Sequence, residues 1–343
     1  MPERALRLGT GAGALVVAAA LLYVVLVPLG HLPAIVRTVA VLALAGLAFT
    51  GVRQAGRGVW GADFDAGFWL AVGWLGALIL AAVFADALPL GNASDTTRTI
   101  GQAGYASPDL FSAHPLGTNG FGLDLLARSV YGARVSLLTV GLAVGVSLVV
   151  GCGIGMLSGY FRRWVDLTIG VFADASLVIP ALVLLIAFAA VLGPPRTVPG
   201  AVVKNGLALA VVGIPTMIRL ARATTMVYAP REFVLASRAM GARHLRVLRR
   251  DLLPNVARPL VSYAFIIAAV LIVAEGSLAF LGLGLQQPSP SWGNMIAEGG
   301  LRELRRHPHL AMVPGAFMFL TVFSLNTVGE RLRARWDARE ANV

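Results

Sequence analysis

The sequence predicts an all-α polytopic membrane protein with eight transmembrane helices. Three observations carry that expectation. Of 343 residues, 57% are hydrophobic and only 13% are charged, and the mean hydropathy is +0.78, well outside the soluble range. Apolar runs recur at about the 20 residues that a hydrocarbon core demands. Basic residues gather between those runs rather than within them.

The runs fall at 8–30, 33–52, 68–89, 132–158, 167–192, 202–219, 258–283 and 310–329. The first is too long for a signal-peptide core, and no small-x-small cleavage site follows it, so it is expected as a retained helix. Arg37 sits near one end of the second, where its head can snorkel to the interface. Pro215 interrupts the sixth. The polar, glycine-rich stretch 53–67, "RQAGRGVWGADFDAG", is expected as a linker. This gives residues 1–67 as a transmembrane hairpin plus linker and 68–343 as the main membrane domain.

Arginine placement sets the orientation. With the N-terminus inside, cytoplasmic segments hold nineteen of the 28 Lys and Arg residues. The positive-inside rule then puts both termini in the cytoplasm, and an even number of spans agrees. Residues 90–131 form an outer loop and 220–257 an inner one. The pI near 11.0 comes from these clusters, which read as topology signals and not as a nucleic-acid surface. Cys152 is the only cysteine, so the chain can form no intrachain disulfide.

The inner loop contains "FVLASRAMGARHLRVLRRDLLPN", 233–255. Its spacing predicts two short helices. Phe233, Ala236 and Met240 share one face of the first, and Gly241 supplies its left-handed end. Leu245, Leu248 and Leu252 share a face of the second, opposite Arg243, Arg246 and Arg250, and Pro254 is expected to stop it. Three readings fit: an interfacial helix pair on anionic membrane lipid, a docking element for another protein, and a cap on the bundle.

"LASRAMG", followed nine residues later by "DLLP", resembles the EAA loop of binding-protein-dependent ABC-transporter permeases. Ala236, Ser237, Gly241, Leu253 and Pro254 fall on that pattern. Leu235 stands where the family has Glu, Ser237 where it has a second Ala, and Asp251 at a usually apolar site. "HPLGTNGFGLDLLARSVYGARVSL", 114–137, and "EGSLAFLGLGLQQPSPSWGNMIAEG", 275–299, resemble the dipeptide, oligopeptide and nickel permeases of that family, specifically the second of their two permease subunits. "GYFRRWVD" and "FADASLVIPALVLL" are similar to the same subfamily. The resemblance covers about residues 68–340.

It implies a six-helix type I importer core carrying the extra hairpin 8–52, in a bacterial cytoplasmic (inner) membrane. It implies partners: a second homologous permease, two cytoplasmic ABC ATPases and an extracytoplasmic substrate-binding protein. ATP and Mg would be bound by the ATPases, with no cofactor in this chain. The coupling residues would be Glu232, Ala236, Ser237, Arg238, Gly241, Leu253 and Pro254. Gating or pathway positions would be Asp174, Glu275, His114, Gly117, Asp124 and Trp292.

The chain has no catalytic motif of its own. A P-loop needs Gly-Lys followed by Ser or Thr, yet the only lysine, Lys204, lies between Val203 and Asn205. His307 and His309 are two apart, short of the three or four ligands of a metal site. Intramembrane acids are costly and often functional, so Asp174 and Glu275 also raise a proton-coupled secondary transporter as an alternative. A non-transporting scaffold is a third class. Gly141, Gly145, Gly151, Gly155 and Gly159 form a small-residue stripe that fits packing within the subunit or a seam with a partner. The loop "PSPSWGNM", with Trp292, fits either an interfacial anchor or a contact for the binding protein. The HPLGT segment fits either a gate or a packed turn.

Overall fold

The computed structural model describes residues 10, 12–17, 34–61, 64–101, 104–109, 112–193, 197–298 and 300–340. The predicted span 8–30 lies outside these except for the helical stretch 12–17. The chain falls into two compact units, Met1–Gly73 and Trp74–Val343.

In the first unit, helix α1 runs Ala34–Trp60. It passes through much of the expected linker. The break comes at Gly61, whose φ of +103° suits glycine, and whose N–H returns to the Arg57 carbonyl at 3.2 Å. Gly56 leaves room for the Phe64 ring against the helix, where a Cβ would collide.

Helix α2, Ala66–Val83, enters the second unit. That unit continues with α3 Leu125–Phe161, α4 Arg163–Val178, α5 Ala181–Leu192 and α6 Val198–Tyr228. Then come α7 Glu232–Ala239, α8 His244–Phe280, α9 Trp292–Glu298, α10 Gly300–Arg306 and α11 His309–Glu340. Among the described residues, five helices (α2, α3, α6, α8, α11) are long and apolar enough to cross a membrane, or six spans if the bent pair α4–α5 counts as one. No strand appears among them; the nearest approach is an isolated bridge between Thr118 and Asp124.

The predicted single span 167–192 is two helices bent by 93°. Pro180 causes the break. It has no N–H to give the preceding turn, and it holds Ile179 extended at ψ 125°.

The tightest packing joins α3 to α6. Gly206 meets Thr139 and Leu142, Gly213 meets Ser147, Gly155 meets Ile218 and Ala221, and Gly159 meets Arg222 and Thr225. Partners rise together in number, so the two helices run parallel. The intervening segment must therefore return across the bundle, as α4–α5 does. Helix α11 runs antiparallel to α8, with Gly276 against Met318 and Gly329 against Ser262. The α3 start, the α8 end and the α11 start thus share one face of the unit.

The glycine stripe on α3 splits. Gly151, Gly155 and Gly159 receive α6 backbone and side chains, whereas Gly141 and Gly145 have nothing within 4 Å. Close approach within the subunit uses one part, and the other lies on an open surface.

Candidate functional site: a basic knob and a buried clasp

At the face where α3 and α6 end, the chain forms a basic knob from α7 and the start of α8. The α7 terminus closes through two hydrogen bonds: Ala242 N–H to the Ser237 carbonyl at 3.1 Å and Gly241 N–H to the Arg238 carbonyl at 2.9 Å. This is the Schellman arrangement. It needs the left-handed residue that Gly241 supplies with φ +82°.

Burial along this segment is set by the bundle. Phe233, Ala236 and Met240 are not buried; Val234 alone in α7 is, at 0% exposed. A helix of eight residues can press only one side chain into the bundle. In the second half, Leu248 and Leu252 are buried but Leu245 is 62% exposed. A π turn over Val247–Leu252 shifts the register, so Val247, Leu252, Val256 and Leu260 face inward.

Pro254 does not stop the helix. It stands in the first turn of the regular stretch Leu253–Phe280. The widened turn ahead of it, with Leu253 N–H bonded to the Leu248 carbonyl, leaves a proline without N–H tolerable there. The second half of the knob and the span are one continuous helix.

Val234, Val247, Leu252 and Val256 join Cys152 and Met156 of α3 and Ala221 of α6 in one apolar cluster. His244 adds a polar pin, its Nδ1 lying 2.9 Å from the Tyr160 hydroxyl. Glu232, Ala236, Arg238, Gly241, Leu253 and Pro254 are exposed, and Ser237 is half-buried. The predicted coupling residues therefore lie together on the knob. Phe233, Leu235, Met240 and Leu245 are each 44% or more exposed beside them, an apolar patch of the kind that marks a protein contact.

Beside the knob, Asp166 of α4 accepts hydrogen bonds from Arg222 of α6, with Nη2 to Oδ2 at 2.7 Å, and from Ser158 of α3 at 2.7 Å. Three helices meet at this one carboxylate, which the sequence reading did not single out.

At the opposite face the HPLGT segment folds against the start of α3. Asp124 caps that helix, accepting from the Ala127 N–H at 2.7 Å, and its other oxygen lies 2.9 Å from His114 Nδ1. Gly117 has φ +83°, and a Cβ there would strike the Ala106 carbonyl. Trp292 is fully buried and donates Nε1–H to the Ser129 carbonyl at 3.0 Å. Glu275 is buried and accepts from the Ser136 hydroxyl at 3.0 Å.

Asp174 lies elsewhere. It is exposed and pairs with Arg219 at 3.9 Å. Nothing in the geometry joins it to Glu275.

The centre at this face that the sequence reading missed is Arg128. Its side chain is 0% exposed and is ion-paired with Glu298 of α9. It also donates to the Ala93 carbonyl at 3.0 Å and the Pro288 carbonyl at 3.1 Å. Asn119 Nδ2 donates to the second Glu298 oxygen at 3.1 Å. Burial pushes the Glu298 carboxyl above its ordinary range, with Arg128 and Asn119 pulling part of that back. This clasp ties four segments to the α3 start. The sequence reading left Arg128 in the loop 90–131, because the helix starts at Leu125, seven residues before the predicted run. Nearby, Asp86 accepts from Tyr131 at 2.9 Å and Arg134 at 3.0 Å, which hold its carboxyl below the usual value.

Long apolar helices bundled around a parallel pair, with a basic knob continuous with one span, define a multi-pass membrane protein. Residues 151–341 match the family of binding-protein-dependent transport system inner membrane components. The chain is 33% identical over 77% of its length to a dipeptide transport system permease protein, DppC, of Alkalihalophilus pseudofirmus, covering 83% of that protein. It is 36% identical to a di/tripeptide permease protein DppC of Pseudomonas aeruginosa, covering 66% of this chain and 73% of that one. A glutathione permease protein, GsiD, of Pectobacterium atrosepticum is 33% identical over the same shares. The fold matches a chain of the inward-facing MetNI methionine ABC transporter with TM-score 0.50 and 19% identity, over 62% of this chain and 97% of that one.

The chain belongs to this family: it is a permease subunit of an ABC importer. Membership favours that function over the proton-coupled transporter and the scaffold.

Proposed function

We propose that this subunit carries di- or oligopeptides, together with a second homologous permease, two cytoplasmic ATPases and an extracytoplasmic binding protein. The peptide assignment follows the names of its relatives. The observation that carries the partner assignment is the knob. An exposed apolar patch ringed by arginines, built on a helix that continues without a break into the bundle, suits a lever seated in another protein. The arginine bias puts this face, and both termini, in the cytoplasm.

ATP and Mg belong to the ATPases. Nucleotide binding there shifts the permease only through unequal affinity for its two states. Glu232, Ala236, Ser237, Arg238, Gly241, Leu253 and Pro254 transmit the motion. His114, Gly117, Asp124 and Trp292 are assigned to an outer gate, and Glu275 and Asp174 to the pathway.

Gly241→Arg tests this. A non-glycine residue in the left-handed region costs about 1–2 kcal/mol, and a Cβ at position 241 meets nothing within 4 Å. The protein is expected to reach the membrane in normal amounts, with substrate-stimulated ATPase activity and peptide uptake by the reconstituted complex reduced to background. Uptake at the wild-type rate rules the lever out.

A further inference from the structure

The motif His307–Pro308–His309 has no part in the knob or the clasp. It lies at the mouth of a cavity of about 570 Å³ beside the start of α11. Arg306 and His307 stand at its rim, and Met312, Val313, Ala316 and Phe317 line it. Those four positions follow one stripe of the helix, reaching about 12 Å down α11 from His309 at 1.5 Å per residue. Tyr105 stacks on the His307 ring at 4.5 Å between centroids and holds it there.

His309 is the unusual member. It is nine-tenths buried, and the Thr118 backbone engages its ring. Its Nε2 has no hydrogen-bond partner. Packed against the Thr118 backbone in this way, the ring is a fixed wall of the groove.

Two kinds of ligand fit poorly. A metal would find two imidazoles, and no group of three His, Cys, Asp or Glu occurs among the described residues. A peptide would find no sheet edge, only an apolar stripe that follows a spanning helix into the hydrocarbon. Basic groups at headgroup depth above such a stripe match an amphiphile, and the positive end of α11 adds to the attraction for an anion.

We propose that this groove binds an anionic phospholipid. The phosphate sits against Arg306 and His307, and one acyl chain lies along Met312, Val313, Ala316 and Phe317. The inference needs α11 to span the bilayer and does not depend on what the importer carries.

Native mass spectrometry of the full chain in mild detergent, titrated with phosphatidylglycerol and with phosphatidylcholine of the same chains, tests it. The wild type is expected to retain phosphatidylglycerol in preference to phosphatidylcholine. Arg306→Ala is expected to weaken phosphatidylglycerol about fivefold, the worth of one surface cation. His307→Phe keeps the ring that stacks on Tyr105 and is expected to reduce the preference. Ala316→Trp fills the groove and is expected to abolish retention of both lipids, while uptake of peptide by the reconstituted complex reports separately on the importer reading.

Equal retention of both lipids by all four proteins overturns the proposal. So does full competition by glycerol phosphate, which makes the site an anion site without a chain. Displacement of the lipid by an acidic apolar peptide overturns it as well, by naming a protein partner.

Discussion

Arg128→Ala is expected to destabilise the folded subunit by about 3–5 kcal/mol, the usual result of removing one member of a buried ion pair. The substitution leaves Glu298 buried without its cation and strips a donor from two carbonyls, those of Ala93 and Pro288. A typical domain has only about 5–15 kcal/mol in reserve. Thermal melting of the detergent-purified protein reads the loss. The double variant Arg128→Met with Glu298→Leu is expected to recover most of it, because a well-packed apolar pair often matches a buried ion pair in stability. If Arg128→Ala melts with the wild type, the clasp holds nothing together.

Gly155→Val is expected to produce little folded protein. A Cβ at this position would lie 2.5 Å from the Ile218 carbonyl oxygen and 2.9 Å from the Arg222 nitrogen. Both are backbone atoms of α6 that cannot rotate away. Overpacking of this kind costs about 3 kcal/mol or more. Gly145→Val, on the same helix, meets nothing within 4 Å and is expected to fold normally. Size-exclusion profiles of the two variants from membranes check the contrast. Equal behaviour refutes the division of the glycine stripe.

The apolar runs were legible because a bilayer imposes length and composition locally: the helices at 125–161, 198–228 and 309–340 contain their predicted runs, and the helix at 253–280 covers all but the last three residues of the run 258–283. The helix end at Gly241 was legible through the spacing around it, and its φ of +82° bears that out. What escaped was set by tertiary contact. Pro254 reads as a terminator until the π turn before it is known, and that turn carries no local mark. Phe233, Ala236 and Met240 read as one apolar face, and only the geometry of the bundle decides that Val234 is the side chain that enters it. Arg128 and Glu298 are 170 residues apart, and no periodicity links them. Pro180, by contrast, was visible within its run, and its consequence for the chain direction was not drawn from it.

The parallel α3–α6 pair constrains how this subunit can work. Sliding one helix past the other by a single residue would push glycine faces at Gly155, Gly159, Gly206 and Gly213 onto neighbouring side chains, so the pair behaves as a solid strut. The strut runs from the Arg128 end to the knob cluster. Shape change inside the subunit is therefore left to the Pro180 elbow, where two short helices meet at an angle and no such interlock exists.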